Sequence, residues 1–499
     1  MRRNDEKRGG HFFLSLVRGS IILGGLEALT ILIYRKLKCG LFGFIFTGYP
    51  TENRSAFFEW VGGTRAAALW ERLRKWLCRS IEDSLFVRFG RYCSGFLLGC
   101  RLKVYGTFAA SFGAYTAVIA VIRALLTGDV SGEDILLNDS IMIAVVLIVS
   151  GLPLVLSKKS LSEALCSSFV GDVIRRATGF TEEDMTVRTG GGNMSTAFLA
   201  GMIFGAVTYK VSPALLIAAV AVIVGAYIVL VKPELGVLAL FFFMPILPTM
   251  VLLGIEGYTF VCYLIKLFRR KRVFRAEPVD IAALAFAFVL LTGGFISVSS
   301  SSLMQVLLMV GFLCAYFLVV GLIRSMEWLV RCSAASVISG TLISVYGLIT
   351  YFTGTAVMDD AWLDTELFGA ITGRAYATLE NPNMYGEYLV LIIPIAVGIL
   401  LRRWGGMRKS GAFVCLGILG LGLVCSWSRG AMLALVLAMV VFLLMWHRRA
   451  IFLVLGGVAA LPFLPAILPA SIVSRYFDIG NMADTSTSYR VGGWRHPLP

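Results

Sequence analysis

Thirteen apolar stretches, most of them near 20 residues long, constrain this chain more than any other feature. They run at 105–126, 139–156, 195–210, 212–231, 234–250, 252–268, 279–297, 302–323, 329–352, 386–401, 411–427, 430–446 and 451–468. A hydrocarbon core about 30 Å thick is spanned by about 20 helical residues. In lipid every backbone N–H and C=O must be paired internally, so spans of this length must be helices. The pattern predicts an all-α, polytopic membrane protein of about 13 transmembrane helices. The third, tenth and twelfth stretches are short, and the region 234–268 does not divide cleanly. Composition excludes the soluble alternatives, because 58% of the 499 residues are hydrophobic and only 15% are charged. Soluble domains carry about 25% charged residues. Nor does the net charge of +15 point to nucleic acid. Its basic residues lie between apolar runs rather than along one polar face.

The charge instead reports orientation, since cytoplasmic loops accumulate Lys and Arg. With residues 1–104 on the cytoplasmic side, 38 of the 45 basic residues fall in cytoplasmic segments. Six fall outside (Lys210, Arg374, Arg429, Arg475, Arg490 and Arg495), and Arg123 lies within the first span. This predicts a multi-pass protein of the cytoplasmic membrane with its N-terminus inside. Three regions follow: a basic arm at 1–104, a nine-span region at 105–352, and a C-terminal region at 353–499. The arm holds 18 basic and 8 acidic residues. It reads as amphipathic helices on an anionic inner leaflet, with a solvated tail as the alternative. Segment 157–195 reads as a polar, Gly-rich linker. Its GGGN follows no strand, so it is not a phosphate-binding loop. The ten cysteines form no CxxC pair and there are three histidines, His11, His447 and His496. Neither a disulfide framework nor a zinc site is expected, and no cofactor.

Lipid-facing surface is chemically inert, so function is expected where polar residues gather at one membrane face. The outer loop 353–385 carries Arg374 as its only cation, and the hairpin SWSRGAM puts Ser428 and Arg429 at the outer mouth of two spans. The stretch 469–499 adds Arg475, Arg490 and Arg495. An outer Arg departs from the charge bias, and one reason for it is phosphate binding, which the guanidinium fork suits. The plainer reading is that each Arg snorkels to lipid phosphate or caps a helix C-terminus. Asn381-Pro382-Asn383 opens the tenth span. Asn before Pro favours an extended or turn conformation, and the second Asn can cap the following helix. Alternatively, these amides hold a ligand near Arg374, seven residues upstream.

GRAYATLENPNMYGEYLVLIIPIA resembles the Arg-then-Asn-Pro-Asn segment of the O-antigen ligase and polymerase family. CSWSRGAMLALVLAMVVF looks like that family's Ser-Arg-Gly helix start, and TSYRVGGW is similar to its Arg-x-x-x-Trp element. Together they cover about 374–494, in the family's order. The resemblance implies a C-type, lipid-carrier-dependent glycosyltransferase without a metal. It would move a glycan from an undecaprenyl-diphosphate-type carrier to an acceptor glycan or lipid at the outer face of the membrane. By position, Arg374, Arg429 and Arg490 would bind the lipid diphosphate, with Asn381, Asn383 and Ser428 in support. The family continues into a large outer loop whose His is thought to be the general base. Here the chain stops at WRHPLP, so the base is expected to be absent and the chain a truncated copy.

Two rivals remain at this level, an inactive family member and a transporter of the same lipid-linked glycan. Coupled transporters place Asp or Glu within their spans. Here Glu387 is expected at a helix start and Glu256 near the outer boundary, both reachable by solvent, and no internal repeat is evident.

Overall fold

The computed structural model describes residues 65–127, 139–185, 192–269, 278–297, 300–355, 373–401 and 406–446, with a few isolated positions besides. Most of the thirteenth apolar stretch, Arg490 and the three histidines lie outside the described residues. What is described is helical, with no strand and a single isolated bridge between Arg101 and Ser160. In chain order the helices are α1 (Arg65–Glu82), α2 (Leu85–Gly99), α3 (Leu102–Thr127), α4 (Asp139–Leu156), α5 (Leu161–Ser167), α6 (Phe169–Thr178), α7 (Glu182–Met185), α8 (Met194–Val207) and α9 (Pro213–Val231). They continue as α10 (Glu234–Phe243), α11 (Thr249–Phe268), α12 (Pro278–Ile296), α13 (Ser300–Leu322), α14 (Met326–Thr353), α15 (Pro382–Leu401), α16 (Gly406–Cys425) and α17 (Arg429–Trp446).

Twelve of the thirteen apolar stretches are thus helices. Among the described residues nine helices are long and apolar enough to cross a membrane, while α8, α10 and the apolar part of α16 are shorter. The difficult region 234–268 breaks between Phe243 and Thr249, earlier than the expected division at 251. Pro245 and Pro248 lie in that gap, where neither can donate a helical hydrogen bond. Segment 157–195 is not the expected linker either, because α5, α6 and α7 fold within it. Ser160 and Glu163 form a reciprocal capping box at the start of α5, and Ser168 accepts from Gly171 N–H at the start of α6.

Two compact units divide the chain. One comprises Ala56–Leu235 and Val261–Arg272. Here α3 packs on α4 and α8 through small residues, which lets helices without a hydrophobic drive approach closely. A Cβ built on Gly106 would lie 2.6 Å from the Gly151 carbonyl oxygen, and one on Gly201 would lie 2.8 Å from the Phe108 carbonyl oxygen. At α1 and α2, apolar side chains remain exposed at helical spacing: Leu69, Leu73 and Trp76 on one, Leu85, Phe89, Tyr92 and Phe96 on the other.

The polar groups of this unit meet one another. Lys232 donates to the Gly179 carbonyl and to Asp184, each at 3.0 Å, and lies 4.0 Å above the Phe180 ring. Lys266 donates to the Val231 carbonyl at 2.7 Å, and Arg74 to the Phe268 carbonyl at 3.2 Å. Arg272 pairs with the buried Glu234. Asp184 is held below the usual carboxylate range, first by the Thr181 backbone N–H and then by Lys232.

The other unit comprises Met1–Ser55, Gly236–Phe260 and Val273–Pro499. Its centre is α14, whose buried residues Cys332, Ser336, Ser339, Gly340, Ile343, Ser344 and Gly347 recur every three or four positions. That narrow stripe admits α15 and α16, whose Tyr385, Leu389, Ile392, Ile393, Leu419 and Leu423 complete the core. Ser339 donates to the Phe242 carbonyl, tying α10 to α14.

Two outcomes follow for the first unit. Gly201→Leu overpacks the α3–α8 contact and should cost about 1–3 kcal/mol. Gly225→Leu, where nothing lies within 4 Å, should be neutral. Thermal midpoints of the purified protein in detergent compare them. The Asp184 contribution is present above the unfolded value of about 3.9 and is lost as pH falls through the lower folded value. The thermal deficit of Asp184→Asn should therefore be visible near neutrality and vanish in acid.

Candidate functional site

The site residues are gathered by three helix ends. At the start of α15, Asn381 occupies the cap and Pro382 the first helical position, where its missing N–H costs nothing. Asn383 N–H donates to the Asn381 side-chain oxygen at 2.8 Å, and Tyr385 N–H to the Asn381 carbonyl at 2.9 Å. The first Asn is therefore the cap, where the second was expected. That leaves the Asn383 carboxamide oxygen to accept from Arg374 Nη2 at 2.9 Å and from the Ser428 hydroxyl at 3.0 Å.

Arg374 is only 3% exposed. Its Nε donates to the Ser426 carbonyl at 2.9 Å, while the next residue's N–H donates to the Cys425 carbonyl at 2.8 Å. Two carbonyls left unpaired by the end of α16 are satisfied in this way, and a cation sits favourably at the negative end of that helix. The plainer sequence reading of an Arg as a C-terminal cap thus describes one end of Arg374. Its other end reaches the start of α15.

α17 begins immediately after. Ser428 precedes it, Arg429 is its first residue, and Arg429 is half-buried. The starts of α15 and α17 pack tightly, since a Cβ on Gly386 would lie 2.7 Å from the Ala431 Cβ and 3.2 Å from the Ser428 Cβ. Each helix start carries about half a positive charge. Two such ends, the Arg374 guanidinium and Arg429 outweigh the negative charge of about half a unit at the end of α16, so the cluster is locally positive. Oriented helix starts of this kind favour anions, phosphate among them.

Three residues outside the glycines have positive φ in the described chain, and all belong to this cluster: Ala377 at 52°, Glu380 at 58° and Trp427 at 52°. Such backbone costs about 1–3 kcal/mol each and persists only where its surroundings impose it. The surroundings are specific: Thr378 donates to the Pro245 carbonyl, Trp427 Nε1 to the Tyr351 hydroxyl at 3.3 Å, and the Tyr385 hydroxyl to Ser344 at 2.9 Å. Ser426, Trp427, Tyr351, Tyr385 and Ser344 were not singled out from the sequence. Only the SWS triplet before Arg429 could have signalled the first two.

Of the expected site residues, Arg374, Asn381, Asn383 and Ser428 form one hydrogen-bonded set, with Arg429 next to Ser428. Arg490 lies outside the described residues. No group of three or more His, Cys, Asp or Glu able to hold a metal ion occurs among the described residues. One expectation about acids is overturned. Glu387 is exposed on α15, but Glu256 is 3% exposed within α11, so it is not reachable by solvent. Asp280 is equally buried at the start of α12, where it accepts from the Tyr316 hydroxyl at 2.7 Å.

Asn383→Leu keeps the branching at Cγ but strips an acceptor from a buried guanidinium and a hydroxyl. It should cost about 1–3 kcal/mol, read as a lowered thermal midpoint in detergent, whereas Ser428→Ala should cost less. No protein-family model, curated protein or solved structure matches this chain.

Proposed function

We propose that this chain transfers a glycan from an undecaprenyl-diphosphate-type lipid carrier to an acceptor hydroxyl at the outer face of the cytoplasmic membrane, as a polymerase or a ligase of surface polysaccharide. The observation that carries the reading is the convergence of two helix starts, buried Arg374 and half-buried Arg429 on one polar cluster. In the reaction, the bond between the sugar's anomeric carbon and the diphosphate oxygen breaks, and its electron pair leaves with the diphosphate. The acceptor oxygen bonds that carbon and gives up its proton to water at the outer face. Fixed positive charge placed where the leaving group gains negative charge lowers this barrier.

The two arginines have different parts. Arg374 ties α16 to α15 and is a positioning residue that also lends its charge. Arg429, at the first turn of α17, is the one to contact the diphosphate, with Arg490 assisting. Asn381, Asn383 and Ser428 hold the arrangement.

The proposed topology has thirteen spans and a cytoplasmic N-terminus, with α8, α10 and α16 crossing despite their short apolar lengths. Two sets of contacts support it. Arg74, Gly179, Asp184, Lys232, Lys266 and Arg272, all from segments assigned to the inside, engage one another or their neighbours within one unit. In the other unit Arg374 and Thr378, from the outer loop, engage Pro245, Tyr351, Ser426 and Trp427 or their neighbours, which lie at the outer ends of the spans 234–250, 329–352 and 411–427.

A second reading, transport of the lipid-linked glycan across the membrane, is favoured by the burial of Glu256 within a span.

The two readings part in liposomes containing the protein and an undecaprenyl-diphosphate oligosaccharide. Transfer predicts elongated or acceptor-linked glycan, and Arg429→Ala should lower its rate about a hundredfold while lowering the thermal midpoint less than Arg374→Ala does. Arg374→Ala should lower both rate and midpoint, and Arg374→Lys should restore only part, since an ammonium lacks the fork. Glycan that changes leaflet without a new glycosidic bond would replace transfer with transport.

A further inference from the structure

The described spans contain one buried acid whose surroundings differ from the others. Glu256 is the eighth residue of α11, about 10 Å along the axis from the helix start at 1.5 Å per residue. It is more than nine-tenths buried, its Oε1 has no hydrogen-bond partner, and no ion pair reaches it from a described residue. Asp280, by contrast, sits at a helix start and accepts from Tyr316. The neighbouring helix is α13. Leu253, one turn before Glu256, packs where a Cβ on Gly311 would be 3.2 Å away, and the Glu256 carboxyl accepts from the Ala315 backbone and lies near the Cys314 thiol. That thiol is the titratable group facing it from α13, and it donates to the Val310 carbonyl at 3.8 Å. On the α10 side, Gly236 packs against Thr259, and Gly236–Phe243 offers no titratable group at all.

An ionised carboxylate in such surroundings would forfeit its hydration with no cation to offset the loss, which costs many times the energy of an ordinary hydrogen bond. A protonated carboxyl removes that cost. It is a neutral group with one donor and an acceptor oxygen, and a helix interface tolerates it. A plain Gln would fill the same space without any exchange, so a carboxyl here has the one property Gln lacks, a removable proton.

We propose that Glu256 is a proton-binding site in the membrane interior, occupied in the conformation described and emptied when α11 and α13 admit water. The proposal concerns the ion, not the glycan, so it stands apart from the transfer reaction and is read with no glycan present.

The probe is N,N′-dicyclohexylcarbodiimide, an apolar reagent that adds to a protonated carboxylic acid in apolar surroundings. Purified full-length protein in liposomes is treated across a pH series, and the adduct is located by peptide mass mapping. The expected result is one adduct on Glu256 whose yield falls as pH rises, retained in Glu256→Asp and absent in Glu256→Gln. Asp280→Asn should leave it unchanged. Should Glu256→Gln fail to fold, the pH series on the unaltered protein still decides. No adduct on Glu256 at any pH overturns the proposal. So does a yield independent of pH. Protection by sodium ions at constant pH overturns it in favour of a metal-cation site.

Discussion

Helix ends inside a low-dielectric layer must find partners for backbone groups that the helix itself cannot satisfy, and the polar cluster of this protein is built from that requirement. α16 ends with carbonyls that the Arg374 side chain and the Ala375 N–H take up. α15 begins with an N–H that the Asn381 side chain takes up. Because Asn381 does the capping, Asn383 can bind Arg374 and Ser428 together. Each of these bonds is modest alone. Their value is that they share atoms, so three helix ends are fixed by one amide.

The same requirement explains why charge and strain fall together. A chain that must turn between helix ends with little length to spare adopts backbone that ordinary residues avoid, as Ala377, Glu380 and Trp427 do. Small residues at Gly386 and Ala431 let the starts of α15 and α17 meet. Two positive helix ends in one place would repel without an occupant or an acceptor between them, and Asn383 supplies the acceptor. An anion drawn to the cluster would meet a surface already arranged for it, with little reorganisation left to do.

Much of the fold was legible because hydropathy over about 20 residues is an average that single substitutions hardly disturb. The Pro245–Pro248 break was legible in principle, since each proline removes a donor, but the long apolar run concealed it. The capping box at Ser160 and Glu163 was also present in the sequence, yet its helix of seven residues carries no hydropathy signal. At the site, Arg374, Asn383 and Ser428 could be named from residue type and order. Their hydrogen bonds could not, because which Asn caps depends on a turn formed by residues around it. Glu256 was misjudged for a related reason. Its distance along the helix suggested solvent, whereas its exposure is set by α13, nearly sixty positions away in the chain. The Gly-x-x-x-Gly pair at Gly201 and Gly205 was in plain view, but a small-residue pair does not say which helix it meets.

Only Ser426, Trp427 and Ser428 join α16 to α17, with Trp427 in a left-handed conformation pinned by Tyr351. Such a joint has no slack, so it fixes rotation as well as distance. At 3.6 residues per turn, one residue added within the first turn of α17 would rotate the rest of that helix by about 100° relative to the joint. The angular setting of that helix, from Arg429 at its start to Trp446 at its end, depends on these three residues together with its contact with α15 at Gly386 and Ala431. The joint behaves as a keyed coupling, and sequence change anywhere along α17 is constrained by an orientation imposed at one end.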